Sequence, residues 1–227
     1  MNDLFPAGRL YGRSKGKALR RYQAELVEKL LPRLTIDLGS AFETAPSFAK
    51  PGSDLRLEIG FGGGEHLAAA ALREPEAAFI GCEPFLNGVA KLLAQIERAE
   101  IKNIRIHRGD AAEVLDWLPD ASLGRVYLFY PDPWPKRRQR KRRFVNEENL
   151  ERLARAMRSG AELRFATDID DYAAWTLARL RASAHFGWRA ATSADWTRPW
   201  TDWLETKYER KAKAQGRSPV YLTFERK

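Results

Sequence analysis

The chain has 227 residues, 44% hydrophobic and 11% aromatic, which suits one large domain with a substantial core and excludes global disorder. A single cysteine, Cys82, excludes an intramolecular disulfide framework and a thiolate zinc cluster; His66, His107 and His185 show no metal-ligand spacing, so no metal is expected. Of the net charge of +9, Lys136, Arg137, Arg138, Arg140, Lys141, Arg142 and Arg143 supply seven, and subtracting them leaves +2; so local an excess reads as a footprint for a polyanion.

The first residues, MNDLFPAGRLYGRSKGKAL, hold no apolar signal-peptide segment. No apolar run approaches the roughly 18 residues of a membrane span, so a cytoplasmic protein without membrane contact is expected. Residues 1–52 read as a basic amino-terminal arm and a helix, the latter over YQAELVEKLLPRL and ending near Pro32. SFAKPGSD reads as a linker, and residues 53–227 as one domain.

From residue 54 strands and helices alternate. LRLEIG (55–60) predicts a strand and EHLAAAAL a helix; AFIGCE (78–83) and NGVAKLLAQIERA repeat the pair. NIRIHRGD (103–110) precedes the helical AAEVLDWL, and RVYLFY (125–130) is the most apolar strand. A helix is expected near 146–158, a strand at ELRFATD (162–168), and a helix over DDYAAWTLARLRAS. GWRAATS and PVYLTFERK read as the last strands, separated by WTRPWTDWLETKYERKAKAQG. Such alternation implies an α/β fold with a mostly parallel sheet, whose ligands bind beyond the carboxyl ends of the strands. Acids stand there in series: Glu58, Glu83, Asp110, Asp132 and Asp168.

In LEIGFGGGEH, Gly60, Gly62, Gly63 and Gly64 lie between a strand and a helix, where backbone approaches ligand closely. A dinucleotide fingerprint would need glycine at the position of Glu65, and Glu58 and Glu65 would repel a pyrophosphate. A cationic cofactor fits this acidic rim better, and S-adenosylmethionine carries a sulfonium and an ammonium and no phosphate. Glu83 stands 23 residues after Gly60, near the usual separation of about 20 for a carboxylate holding ribose hydroxyls. Asp110 suits an adenine amino group, or equally the N-cap of the helix after it.

YPDPWPKRRQRKRR (130–143) sets Asp132 between prolines, which fix their own φ and restrict the residue before them. Rigid placement suits a group that orients a substrate. The basic run directly after it would anchor phosphates, unless it is a solvated loop or a targeting tag. If most of the seven cations met phosphates, raising salt from 50 to 200 mM would weaken binding by roughly 10³-fold or more. Phe129, Tyr130, Trp134 and Phe144 are available to stack a splayed base, with a core role the plainer reading for Phe129.

Together LEIGFGGGEH, GCEPFLNGVAKLL, GDAAEVL, YPDPWPKRRQRKRR, FATDIDDY and ETKYERKAKAQG resemble the bacterial tRNA (guanine-N7-)-methyltransferase family over about residues 50–225. The resemblance implies a Rossmann-like class I methyltransferase fold: a mostly parallel seven-stranded sheet with an antiparallel C-terminal strand and helices on both faces. It implies S-adenosylmethionine as cofactor, S-adenosylhomocysteine as product, and methylation of N7 of a variable-loop guanosine in tRNA. Cofactor contacts implied are Glu58, Gly60, Gly62, Glu83, Asp110 and Asp132, with Asp132 also at the catalytic position. Substrate contacts implied are Lys136, Asp168, Thr206, Lys207, Tyr208 and Glu209. Tyr208 stands where many members carry Phe, and Pro135 where others often carry His, which weakens any case for a histidine base there. No obligate protein partner is inferred, the enzyme being a monomer or homodimer. The alternatives are methylation of another RNA base nitrogen and an inactive RNA-binding protein on the same scaffold. An NAD-dependent reductase is disfavoured by Glu65.

Overall fold

A computed structural model describes residues 16–42 and 53–227; the expected arm before Gly16 and most of the SFAKPGSD linker lie outside them. Contacts along the chain divide it into two compact units, Met1–Pro119 and Asp120–Lys227.

In the first unit the expected amino-terminal helix is two helices, α1 (Arg21–Lys29) and α2 (Leu31–Leu34), with Pro32 in the first turn of α2. Proline is tolerated there because the amide hydrogen it lacks would have no intrahelical acceptor, so Pro32 opens a turn where the sequence suggested a stop. Then follow β1 (Leu55–Ile59), α3 (Glu65–Arg73), β2 (Ala78–Cys82), α4 (Leu86–Ala99), β3 (Ile104–His107) and α5 (Ala111–Trp117). Every residue of β1 and β2 is buried; β2 accordingly reads as a continuous apolar run, while β1 carries Arg56 and Glu58 among its apolar residues. Arg56 is tolerated inside β1 because Asp54 and Glu74 pair with it at 2.9 and 2.6 Å. Val89, Leu92, Leu93 and Ile96 recur at helical spacing and form the buried face of α4. The outer edge of β3 is covered by the segment after α2, where the Ile36 amide donates to the Ile106 carbonyl at 3.1 Å.

The second unit holds β4 (Leu123–Phe129), a 3-10 helix (Arg137–Arg142), α6 (Glu147–Ala156), β5 (Met157–Thr167), α7 (Asp170–Ala182), β6 (Phe186–Trp188), α8 (Ala194–Thr197), α9 (Lys207–Ala214) and β7 (Val220–Arg226). Strand order along the seven-stranded sheet is β3-β2-β1-β4-β5-β7-β6. The pairs β1–β2, β2–β3 and β4–β5 are parallel, and β7 runs antiparallel to β5 and β6. This is the expected class I methyltransferase arrangement.

Two elements differ from the sequence reading. β5 begins at Met157, five residues before the expected ELRFATD, because α6 stops at Ala156 and Met157 pairs with Leu123 across an irregularity in the β4 ladder. β6 spans only Phe186–Trp188, because the residues beyond Arg189 leave the ladder for a surface turn, in which the amides of Ala191 and Thr192 donate to Asp195 Oδ2 at 2.9 and 2.7 Å. Among the described residues no helix is long and apolar enough to cross a membrane, and no cluster of His, Cys, Asp or Glu could hold a metal ion.

Candidate active site

In the first unit Glu58 and Glu83, two of the acids expected to hold a cofactor, flank the glycine loop after β1. Gly60, Gly62 and Gly64 have φ of +72°, +58° and +76°, left-handed backbone that any other residue would adopt only under strain. Two contacts shape the loop. Glu83 Oε2 accepts the Gly62 amide at 2.7 Å while its Oε1 accepts the Phe85 amide at 2.9 Å. Two backbone donors thus orient the carboxylate, whose oxygens together offer about four lone-pair sites. The second contact is steric: a Cβ on Gly88, in the first turn of α4, would lie 2.1 Å from the Gly62 carbonyl oxygen. Gly88→Ala is therefore expected to displace the loop, destabilising the protein by about 1–3 kcal/mol and weakening S-adenosylmethionine binding by roughly tenfold; thermal unfolding and calorimetric titration check both.

Glu58 lies buried within β1, its Oε2 2.7 Å from Nδ1 of His66 in the first turn of α3. Sequence reasoning dismissed His66 as a metal ligand and missed this partnership; the available signal was its place two residues after the last loop glycine. Asp110 caps α5, Oδ1 accepting the Ala112 amide at 3.0 Å, so the capping role left open by the sequence is present. No lysine or arginine stands between Glu58 and His66. Acids, left-handed glycines and a helix packed against the loop backbone suit a cationic cofactor bearing a ribose diol, and S-adenosylmethionine fits that donor set.

In the second unit β4 delivers the Pro-Asp-Pro-Trp turn. Tyr130 and Trp134 flank it with φ of +50° and +41°, conformations of order 1–3 kcal/mol above the ordinary that persist only where surroundings enforce them. The Tyr130 amide donates to the Ala166 carbonyl at 2.7 Å, and the Arg142 guanidinium lies over the Trp134 ring, 4.9 Å from its centroid. Asp132 is exposed at the crest.

The seven cations after it are not equivalent. Lys136, Arg137, Arg138 and Lys141 face solvent, Arg140 Nη2 donates to Asp171 Oδ1 at 2.7 Å, and Arg143 is wholly buried. Four of the seven positions are therefore open to a polyanion, because the run coils into a 3-10 helix with one side turned to α7.

Of the expected substrate contacts, Lys136 is exposed and Asp168, at the end of β5, accepts from Arg217 Nε at 2.5 Å. Thr206 is buried and caps α9, Oγ1 accepting the Glu209 amide at 3.2 Å. Lys207 Nζ lies 4.8 Å from the ring centroid of Tyr208. Tyr208 is 46% exposed and stacks on Tyr130, centroids 6.4 Å apart at 21°. Phe129 belongs to the core, edge-on to Trp203 at 4.8 Å. Burial, then the charge of Glu209, hold the Tyr130 hydroxyl well above the ordinary phenol range, so it stays protonated.

Glu209 is fully buried. Oε2 accepts Trp203 Nε1 at 2.5 Å, and Oε1 accepts Tyr221 Oη at 2.6 Å and Lys213 Nζ at 2.8 Å. Its carboxylate therefore ties α9, which carries Lys207 and Tyr208, to β7. Glu209→Ala would strand the Trp203 and Tyr221 donors, an expected loss of about 2–5 kcal/mol read by chemical denaturation.

A family model described as a putative methyltransferase matches residues 53–222. A protein of Bradyrhizobium diazoefficiens named tRNA (guanine-N(7)-)-methyltransferase is 54% identical over 218 residues, 95% of this chain and 92% of its own. Proteins of the same name from Nitrobacter hamburgensis and Brucella melitensis are 52% and 50% identical, the matches covering 96% and 97% of this chain and 87% and 96% of theirs. Among solved structures, an rRNA methylase from Streptococcus thermophilus aligns with a TM-score of 0.52 at 10% identity, over 77% of this chain and 87% of its own. A precorrin-6y C5,15-methyltransferase from Geobacter metallireducens also aligns with a TM-score of 0.52, at 17% identity over 90% and 88%. At such identities these two speak to the fold alone.

Proposed function

The chain belongs to the tRNA (guanine-N(7)-)-methyltransferase family, and from that premise we propose that it methylates N7 of the variable-loop guanosine of tRNA, with Asp132 addressing the reacting base. The observation that carries this reading is the Pro-Asp-Pro-Trp turn, which presents an exposed carboxylate directly before four solvent-facing cations.

The bound cofactor supplies an electrophilic methyl group on a sulfonium. Guanine N7 already presents a lone pair, so no protein group has to remove a proton before attack, and the absence of histidine at Pro135 is no handicap. What the chain must do is hold the purine in line and accommodate the positive charge that develops on it. Asp132 accepts the guanine N–H donors and offsets that charge, with Asp168 sharing the work. Lys136 and Lys207 hold neighbouring phosphates, and the exposed ring of Tyr208, backed by Tyr130, offers a face for a base. Thr206 and Glu209 complete this subsite from within, by fixing the start of α9. Glu58, Gly60, Gly62, Glu83 and Asp110 form the cofactor half. We divide the chain into residues 1–52, a basic arm and helix, and a methyltransferase domain of residues 53–227, a division supported by the family match beginning at residue 53. We place the enzyme in the cytoplasm, as a monomer or homodimer without an obligate protein partner.

Incubation with labelled S-adenosylmethionine and unmodified tRNA, followed by borohydride reduction and aniline cleavage, tests the reading. Scission at the variable-loop guanosine is expected; label incorporated without scission there would overturn it.

A further inference from the structure

We propose that Arg143, the last cation of the basic run, is a positioning residue that holds the Asp132 turn rather than a phosphate contact. Its side chain has no exposed surface, whereas four other cations of the run face solvent. Its guanidinium joins two elements. Nε donates to the Pro133 carbonyl at 2.8 Å, Nη1 reaches the Asp171 carbonyl at 3.4 Å, and Nη2 pairs with Asp171 Oδ2. The rings of Tyr172 and Trp175 lie against it, with centroids 4.8 and 4.9 Å away. Asp171, Tyr172 and Trp175 all belong to α7, and Trp175 Nε1 secures the same corner by donating to the Val145 carbonyl at 2.7 Å.

Pro133 directly follows Asp132, so the tether acts one residue from the carboxylate. The turn also needs a tether, since Tyr130 and Trp134 hold left-handed φ on either side of it. A planar fork with ring faces on its flanks is a task that arginine performs better than lysine, whose compact ammonium has no flat face to lie between two rings and no separate Nε and Nη donors for Pro133 and Asp171. Asp171 in turn bridges Arg140 and Arg143, so one carboxylate of α7 fixes both the 3-10 helix of the run and the catalytic turn. The inference rests on the assignment of Asp132 to the reacting base.

The test compares Arg143→Lys and Asp171→Asn with the wild type in kcat, in KM for tRNA and in the salt dependence of tRNA binding, with Asp132→Ala alongside. Loss of positioning is expected to lower kcat roughly tenfold or more in Arg143→Lys and less in Asp171→Asn, with KM and the salt slope unchanged. Asp171 is about half exposed, so Asp171→Asn keeps its fold and decides alone if Arg143→Lys does not. An unchanged kcat overturns the proposal, as does a raised KM with a salt slope shallower by about one in Arg143→Gln, the mark of a lost phosphate contact because that variant, unlike Arg143→Lys, removes the charge. If Asp132→Ala is inactive while Arg143→Lys is fully active, only this inference fails. If Asp132→Ala is itself active, the reading beneath it fails.

Discussion

Asp132→Ala is expected to lower kcat by roughly 10²–10³-fold, the size of effect seen when one preorganised electrostatic contact to a developing charge is removed. The four exposed cations remain in the variant, so tRNA affinity should stay close to wild type, and single-turnover methyl transfer at saturating tRNA isolates the chemical step. Asp132→Asn sharpens the result. The amide keeps one oxygen to accept a guanine N–H but carries no charge, so a loss close to that of alanine assigns the effect to charge, and near-complete recovery assigns it to the hydrogen bond. Near-wild-type transfer in Asp132→Ala with normal tRNA binding would falsify the assignment. Two tethers of the turn remain in both variants, Pro133 to Arg143 and Tyr130 to Ala166.

The parts of this architecture that were legible in the sequence are those set by local chemistry. β2 could be read because a strand buried on both faces is an uninterrupted apolar run, β1 because its leucines and isoleucine lead straight into the glycines, and the glycine loop because left-handed backbone demands glycine. Asp110 could be read as a cap because its side chain meets an amide two residues on, within the reach of local spacing. Partners distant in sequence were not legible. Nothing in the spacing of Glu58 and His66 alone distinguishes a hydrogen-bonded pair from two unrelated residues. The burial of Glu209 against Trp203 and Tyr221 is created by α9 folding onto β7, which the sequence showed only as a separator and a final strand. The basic run is the clearest case. Seven cations in eight residues are identical to a charge count, and only the coiling of the segment against α7 makes Arg143 an interior residue and leaves Arg138 in water.

That division predicts how tRNA binding responds to salt. Each phosphate neutralised contributes roughly −0.7 to −0.9 to the slope of log affinity against log salt. Seven contacts would weaken binding roughly 10³-fold or more between 50 and 200 mM, whereas four would weaken it only about 10²-fold. The second figure is expected for the run, measured as the difference between wild type and a variant with Lys136, Arg137, Arg138 and Lys141 all replaced by alanine. In that variant the slope should be shallower by about three, with affinity at the lower salt already much reduced. Adding Arg143→Gln to it, which removes the charge, should leave the slope where it is, since the buried guanidinium has no counterion to release. A further fall in slope would mean that the 3-10 helix opens on tRNA and turns Arg143 outward, and the tether on Pro133 would then be broken in the complex. Titration of the four-fold and five-fold variants across the same salt series separates these outcomes, because the sole difference between them is the one cation that lies inside the protein.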